Sequence, residues 1–194
     1  MAFFFNDAYK GTPPWDIGRP QAEFVKISRE EGITGRVLDI GCGTGENALF
    51  FAGLGLEVWG LDGAPLAIGK ARKKALERGI NVEFIVGDAL HLEKLKQKFD
   101  TITDCGLFHT FSDEDRKIFT KSLKATLNES GNYFMLCFSD EEPADWGGPR
   151  RVSKNEIRDT FGVGWKINYI REARFSTTIH DNGGRAWLSS ISAI

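Results

Sequence analysis

Three glycines at alternate positions lie between an apolar strand-like segment and a helix-like segment near the start of the chain. Residues 37–46 read VLDIGCGTGE, with Gly41, Gly43 and Gly45 in the turn. Glycines with this spacing permit a tight turn and let a ligand lie against the backbone, because no Cβ is present to collide with it. The segment therefore predicts a loop that binds a nucleotide-like ligand.

Acidic residues at both edges of this loop bear on the kind of ligand. A dinucleotide-binding turn carries Gly or Ala where this chain has Glu46, and it holds a pyrophosphate at the helix N-terminus. Asp39 and Glu46 would repel a pyrophosphate, whereas a ligand with an ammonium and a sulfonium would be attracted. S-adenosylmethionine is such a ligand, and we predict it as the cofactor. An NAD-dependent oxidoreductase is the weaker alternative.

Composition narrows the class of protein further. A chain of 194 residues is long enough for one domain with a substantial core, so we predict a single domain over 1–194. The net charge of −2 provides no broad attraction for a polyanion, which disfavours nucleic acid as a partner. The first residues do not form a secretory signal and no apolar run reaches membrane-spanning length, so we expect a cytoplasmic protein without a membrane partner.

Strand-like and helix-like segments alternate through the first two thirds of the chain, which is typical of an α/β protein with a parallel sheet and helices on both faces. Two further strand-like segments follow with no helix between them, and they predict an antiparallel hairpin at one sheet edge, turning at His180–Gly184. The predicted strands are 36–40, 56–61, 82–86, 99–104, 132–138, 165–178 and 186–194, and the predicted helices are 21–31, 47–54, 66–78 and 112–127, with a capping box at 153–156.

Acidic residues follow two of these strands, where ligands bind in open α/β sheets. Asp62 lies 21 positions after Gly41, where an acid accepts hydrogen bonds from ribose hydroxyls. Asp88 and Ala89 follow the third strand, where a carboxylate would accept from an adenine amine and a backbone amide would donate to the ring. The alternatives are that Asp62 is a solvated turn residue and that Asp88 caps the next helix.

Together these motifs resemble the class I S-adenosylmethionine-dependent methyltransferases over nearly the whole chain. The glycine segment 37–46, Asp62, the segment 87–89 and the fourth strand 99–104 carry the resemblance. It implies a Rossmann-like three-layer sandwich, whose seven-stranded, mostly parallel sheet ends in an antiparallel strand.

A narrower resemblance comes from the segment 13–21, which reads PPWDIGRPQ. It is similar to the Pro-Trp-Asp-x-Gly-Arg segment of thiol, halide and thiopurine methyltransferases, which folds over the cofactor. The likeness implies that 1–20 is an arm or lid and that Trp15 lies beside the sulfonium; plain core packing of Trp15 is the alternative. The cofactor-binding positions implied overall are Trp15, Asp39, Gly41, Gly43, Gly45, Asp62, Gly63, Asp88, Ala89, Asp104 and Cys105.

The segment 104–110 follows the fourth strand, beside the place where the transferred methyl should project. Its position implies backbone contacts from Cys105 to the cofactor. His109 is a candidate base for an acceptor thiol, hydroxyl or amine, although we prefer the alternative that it holds the loop through one hydrogen bond. Three cysteines, at 42, 105 and 137, would allow a soft metalloid site, but buried apolar roles are favoured and we predict no metal.

The segment 139–152 follows the fifth strand and is rich in proline and glycine, which predicts a structured loop on the acceptor side. Trp146 is a candidate to stack on the acceptor, and Arg150 or Arg151 to pair with an anionic group. The alternative for both arginines is that they are solvated loop charges.

These features predict direct SN2 transfer of a methyl group from S-adenosylmethionine to a small-molecule nucleophile, with a thiol or another soft acceptor considered first. A macromolecular substrate is the first alternative within catalysis. A noncatalytic protein that binds the cofactor for regulation is the alternative from another class, because a fold alone does not establish turnover.

Overall fold

A single mixed sheet organises the structure, a computed structural model that describes residues 2–30, 32–143 and 148–194. The strands are β1 (Arg36–Ile40), β2 (Glu57–Asp62), β3 (Glu83–Val86), β4 (Phe99–Cys105), β5 (Leu127–Phe138), β6 (Trp165–Thr177) and β7 (His180–Ala193). The helices are α1 (Ala2–Ala8), α2 (Ala22–Glu30), α3 (Glu46–Gly53), α4 (Pro65–Arg78), α5 (Asp113–Thr126) and α6 (Lys154–Thr160), with 3₁₀ turns at Ala89–Leu95 and Phe108–Thr110.

The strand order confirms the predicted fold class. It runs β3-β2-β1-β4-β5-β7-β6, with the first five strands parallel and β7 antiparallel to both of its neighbours. The chain builds outward from β1 in one direction and then from β4 in the other. Such a reversal opens a crevice at the carboxyl ends of the two central strands, where α/β proteins bind their ligands.

Alternation of side chains along the strands divides the core into two layers. On β1, Leu38 and Ile40 join the apolar cluster beneath α5 and α6, whereas Val37 joins the cluster beneath α2, α3 and α4. Helices therefore cover both faces of the sheet, which confirms the three-layer sandwich.

Local signals in the sequence set several helix ends. Ser112 with Asp115 and Ser153 with Glu156 form the predicted capping boxes. In each box the serine hydroxyl accepts from the backbone N–H of the acidic residue, and the acidic side chain accepts from the backbone N–H of the serine. Gly79 ends α4 at φ 63°, a left-handed conformation that glycine adopts without a steric penalty.

The predicted turn of the C-terminal hairpin was wrong. Residues 178–179 connect β6 to β7, and the segment His180–Gly184 belongs to β7 instead. Gly184 pairs with Phe175 in the ladder, next to a register shift. Glycine in a strand marks a bulge or a bend as readily as it marks a turn, and the sequence pattern does not distinguish them.

Two further differences concern helix and strand content. The N-terminal arm contains a helix, α1, where no secondary structure was predicted, and β5 begins five residues earlier than expected. No helix in the described part of the chain combines the length and the apolar character needed to cross a bilayer.

Candidate active site

A small cavity lies at the carboxyl ends of β1 and β4, against the glycine loop. The N-terminal arm and the strap that follows it, residues 14–21, cover this cavity. Its walls are formed by Tyr9, Trp15, Asp16, Ile17, Arg19, Gln21, Gly41, Cys42, Gly43, Thr44, Glu46, Asn47, Cys105 and Phe175.

The first two glycines of the loop form its floor. Gly41 and Gly43 have φ values of 63° and 55°, which disfavour any residue with a side chain. A Cβ on Gly41 would lie 3.0 Å from the Cβ of Leu107, and one on Gly43 would lie 2.7 Å from the hydroxyl of Tyr9. The loop is thus shaped so that another group lies directly against its backbone.

The third glycine has a different role. Gly45 adopts φ 85° as the N-cap of α3, and a Cβ there would lie 2.7 Å from the ring of Phe84. Gly45 is not among the residues that line the cavity. Its small size lets the start of α3 pack against the sheet, which is the third-glycine role in related turns.

Asp62 ties the glycine loop to the end of β2. Its two carboxylate oxygens accept hydrogen bonds from the backbone N–H groups of Gly43 and Ala64, both at 2.8 Å. Burial raises the pKa of Asp62 despite these bonds. The neighbouring Gly63 is exposed, and a Cβ added to it would lie 3.7 Å from the carbonyl oxygen of Gly87.

Asp39 lies beneath the floor rather than in the wall. One of its oxygens accepts from the Thr103 hydroxyl at 2.8 Å, and the other has no hydrogen-bond partner within the described ranges. Burial raises the pKa of the Asp39 carboxyl to about 7, although the bond from Thr103 opposes that shift. The negative charge of Asp39 also acts, after burial, to raise the pKa of the two thiols in the cavity wall, Cys42 and Cys105.

The other acidic residue of the loop, Glu46, lies in the cavity wall but is paired with two cations, which corrects the electrostatic argument made from the sequence. Glu46 accepts from Lys74 at 2.8 Å and from both terminal nitrogens of Arg78 at 2.8 and 2.9 Å. Burial alone would raise the pKa of Glu46, but the hydrogen bonds from Arg78 and Lys74 outweigh it and lower the pKa. Glu46 is therefore largely neutralised by cations of α4, far apart from it in sequence.

Asp88 is exposed at the end of β3 and caps the following 3₁₀ turn. Its carboxylate accepts from the backbone N–H of Leu90 at 2.9 Å, which is the capping alternative weighed from the sequence. Ala89 is buried beside it, and its carbonyl oxygen accepts from the Ser122 hydroxyl at 3.0 Å. The cap occupies one carboxylate oxygen of Asp88. Asp88 follows β3 and Asp62 ends β2, so the two residues lie at the same edge of the sheet.

Asp104 holds the loop that follows β4. The buried carboxylate accepts from the backbone N–H groups of Leu107 at 2.8 Å and Phe108 at 3.1 Å, and from the Tyr133 hydroxyl at 2.7 Å. Burial raises the pKa of Asp104 to about 7 and outweighs these hydrogen bonds. Asp104 does not line the cavity itself, but it positions the loop that follows Cys105, the last residue of β4, which does line the cavity.

His109 is buried in the same loop, in a cluster with the rings of Phe138 and Phe175, in which each ring contacts the other two. Its ring lies parallel to Phe138 at 5.3 Å, and Phe138 stacks on Phe175 at 4.7 Å. The Nδ1 atom accepts from the backbone N–H of Phe138 at 3.2 Å. Burial, together with the positive charges of Arg151 and Arg116, lowers the pKa of His109 to about 3. The ring is therefore neutral, and its proton lies on Nε2 because Nδ1 is an acceptor.

Similarity of sequence to known proteins identifies the family. A family described as "Methyltransferase domain" matches residues 37–131. The 2-heptyl-1-hydroxyquinolin-4(1H)-one methyltransferase of Mycobacteroides abscessus is 37% identical over 180 residues, which are 88% of this chain and 79% of that relative. The chain belongs to the class I S-adenosylmethionine-dependent methyltransferases.

Two further likenesses bear on this methyltransferase. Probable thiol methyltransferase 2 of Arabidopsis thaliana is 30% identical over 149 residues, 75% of this chain and 65% of that relative. A structure from work on the conversion of a disulfide bond into a thioacetal group during echinomycin biosynthesis superimposes with a TM-score of 0.91. Its sequence is 34% identical, and the match covers 100% of this chain and 91% of that chain.

The cofactor of this methyltransferase is S-adenosylmethionine, which more distant solved methyltransferases of the same fold hold in bound form. The residues present fit that molecule. Gly41 and Gly43 form a floor where a Cβ would collide with Leu107 or Tyr9, Asp62 stands at the end of β2, and Asp39 keeps a buried carboxylate oxygen without a partner among the described residues. These groups suit an uncharged sugar and a cationic amino-acid end.

On the acceptor side, the two arginines of the loop differ. Arg150 forms ion pairs with Asp113 at 2.7 Å and with Glu156, so it joins the loop to α5 and α6. Arg151 lies with its guanidinium 5.7 Å from the ring centre of Phe138, at the edge of the ring stack. Trp146 lies outside the described residues.

Several residues in the cavity wall were not predicted as site residues. Asp16 and Arg19 lie within the segment that carried the narrower resemblance, which was a usable signal for them. Tyr9 and Phe175 are 166 positions apart and had no local signal. The cysteines form no cluster with other ligands, since no group of three metal-binding side chains occurs among the described residues.

Proposed function

We propose that this methyltransferase transfers the methyl group to a small, planar acceptor whose nucleophile ionises near neutral pH, such as a thiol or an aromatic N-hydroxy group. The observation that carries the proposal is the hydrogen bond from Phe138 to Nδ1 of His109. With Nδ1 occupied and a pKa near 3, His109 is poorly suited to remove a proton from an acceptor.

The remaining ionisable groups near the loop do not replace His109 as a base. Asp104 is committed to three donors below the loop, and burial raises the pKa of the Cys105 thiol well above its ordinary value. Burial and the charge of Asp62 likewise raise the pKa of Tyr9. An acceptor that ionises by itself needs no such group, which favours thiols and acidic hydroxyls over alcohols.

The ring stack favours a planar acceptor. Phe175 lines the cavity and contacts both Phe138 and His109, and it presents an aromatic surface next to Cys105. Aromatic rings bind planar apolar groups with favourable geometry. The positive charge of Arg151 at the edge of this stack would stabilise an anionic nucleophile. Trp146 is proposed as a further contact to the acceptor, on the basis of its loop alone.

S-adenosylmethionine supplies an activated methyl group on a sulfonium, so the protein's own task is to bind, orient and exclude water. We propose that Asp62 binds the ribose with Gly63 beside it, that Asp88 and Ala89 contact the adenine, and that Trp15 faces the sulfonium. The whole chain, 1–194, acts as one domain, with 1–20 as an arm over the cofactor and 139–152 as a loop on the acceptor side.

The test is an acceptor panel with purified protein and S-adenosylmethionine, measuring S-adenosylhomocysteine. The panel pairs thiophenol with phenol, and 1-hydroxyquinolin-4-one with quinolin-4-one, because each pair differs in the acidity or presence of the nucleophile. We expect turnover with the acidic member only. Equal turnover of phenol with thiophenol, or of quinolin-4-one with 1-hydroxyquinolin-4-one, would contradict the proposed substrate class.

A variant pair tests the roles of the arginines. Arg151→Gln should raise KM for an anionic acceptor with little change in kcat, whereas Arg150→Gln should lower the free energy of unfolding and leave KM unchanged. No turnover of any small molecule, with methyl label found in the macromolecular fraction of a lysate, would favour the macromolecular alternative. Cofactor binding without turnover in either fraction would favour the noncatalytic one.

A further inference from the structure

The strap over the cavity is anchored on both sides of Arg19. On one side Asp16 accepts from the Thr44 hydroxyl of the glycine loop at 2.8 Å. On the other, the backbone N–H of Gln21 donates to Asn47 at 2.9 Å, and the Gln21 side chain forms two 2.9 Å hydrogen bonds with the backbone of Ser176. The backbone that carries Arg19 is therefore held in place over the cavity by contacts that do not involve Arg19 itself.

Arg19 is the basic residue among those that line the cavity, and its positive charge is not paired with any acidic side chain of the described residues. Its side chain is exposed at the cavity, and no ion pair or hydrogen bond of its guanidinium occurs with the described residues. The nearby cations of α4 are different, since Lys74 and Arg78 both bind Glu46. A guanidinium held over a binding cavity without a partner is ready to pair with an anionic group of a ligand.

The place of Arg19 along the cavity indicates which group that is. Asp62 and Asp88 mark the β2 and β3 side, which suits the adenosine part of the cofactor. The anchors of the strap, Asn47 and Ser176, lie instead on α3 and on β6, the strand whose Phe175 lines the cavity together with Cys105 of β4. A cofactor whose adenosine lies beside Asp62 and Asp88, as proposed above, would extend its amino-acid part in that direction, and the anionic group of that part is a carboxylate.

We infer that Arg19 binds the carboxylate of the methionine part of S-adenosylmethionine. The inference depends on the cofactor and not on the identity of the acceptor. The planar fork of a guanidinium matches a carboxylate with two parallel hydrogen bonds, which lysine does not reproduce. Because Arg19 is exposed, solvent and salt weaken the pair, and we expect its removal to cost about tenfold in affinity rather than more.

The experiment measures binding by calorimetry, with S-adenosylmethionine and decarboxylated S-adenosylmethionine as ligands. The two differ only in the carboxylate. Arg19→Gln should weaken S-adenosylmethionine about tenfold at low salt and leave the decarboxylated ligand nearly unchanged, and Arg19→Lys should fall between. Arg29→Gln, which removes an exposed arginine of α2 without a described partner, is the matched control and should change neither affinity.

Two results would overturn the inference. Unchanged affinity for S-adenosylmethionine in Arg19→Gln would show that Arg19 is a solvated surface charge. Equal weakening of both ligands would show that Arg19 acts through the strap and not through the carboxylate. Neither result concerns methyl transfer, so failure of the acceptor panel and failure of this inference are separate outcomes.

Discussion

The carboxylate of Asp62 accepts a hydrogen bond from the backbone N–H of Gly43 at 2.8 Å. This contact joins the end of β2 to the glycine loop that follows β1, and a second bond from Ala64 fixes the same carboxylate to the start of α4. The acid at the strand end thus shapes the floor of the cavity, in addition to any contact it makes with a ribose.

Asp62→Ala should lower the affinity for S-adenosylhomocysteine at least tenfold. The change removes the acceptor of a buried N–H, which costs about 1–3 kcal/mol, and also removes the proposed ribose contact. Calorimetric titration measures the affinity. Asp159→Ala, an exposed acid on α6, is the control, and an unchanged affinity in Asp62→Ala would contradict the assignment.

Gly45→Ala should destabilise the fold by about 2–4 kcal/mol. The methyl group would meet the Phe84 ring at 2.7 Å and would sit at φ 85°, so overpacking and backbone strain add. Gly69→Ala is the matched control, because Gly69 lies inside α4 with open space around it, and it should raise stability by about 1 kcal/mol. Chemical denaturation measures both, and equal stabilities would refute the packing role of Gly45.

His109→Asn should reduce kcat/KM by less than tenfold and leave its pH profile unchanged for an acidic acceptor. The prediction follows because Nδ1 holds the backbone of Phe138 and does not face a proton to be removed. A general base contributes about 10²–10⁴. A loss of that size, together with disappearance of a pH limb, would assign the base role to His109. His91→Asn, at an exposed position, serves as the control.

Asp104→Asn should change how stability depends on pH. The pKa of Asp104 is 3.8 in the unfolded chain and about 7 in the folded one, so the folded state binds the extra proton between these values. This group therefore makes stability fall as pH rises from 4 to 7, by up to about 1.4 kcal/mol per pH unit.

The difference in unfolding free energy, wild type minus Asp104→Asn, should accordingly decrease across that range. His109, with its lowered pKa, has the opposite sign but is present in both proteins. Asp39 has the same sign, and because the charge of Asp104 helps to raise the pKa of Asp39, loss of that charge in the variant changes the difference in the same direction. Denaturation curves at several pH values provide the measurement. A difference that stays constant or grows with pH would contradict the prediction.

Binding of S-adenosylhomocysteine should slow tryptic cleavage after Lys10 in the arm. The space beneath the arm is about 60 Å³, small against the 300–1,000 Å³ of ordinary ligand pockets, so the arm must move to admit the cofactor and then pack on it. Lys10 is exposed, and Arg19 precedes proline and resists trypsin. An unchanged cleavage rate at saturating ligand would argue against the lid.

Some of the fold and the site could be predicted because the signals are local. The glycine turn, the capping boxes and the alternation of strands and helices depend on neighbouring residues, and all three appear in the structure. Acids at strand ends were found for the same reason, since a parallel sheet brings consecutive strand ends to one edge whatever the details of packing. The hairpin was predicted but its turn was not, because glycine marks bulges as well as turns.

The sequence by itself determined the fold class and the glycine loop, because these follow from short patterns with a direct steric meaning, and it indicated the cofactor through the resemblance of those patterns to a known family. Only the tertiary structure decided which side chains are already bound by other residues of the protein. It paired Glu46 with Lys74 and Arg78, turned His109 toward Phe138, and left Arg19 over the cavity without a described partner. Such contacts join residues tens of positions apart, and side-chain charge and burial are settled by those neighbours rather than by the adjacent sequence.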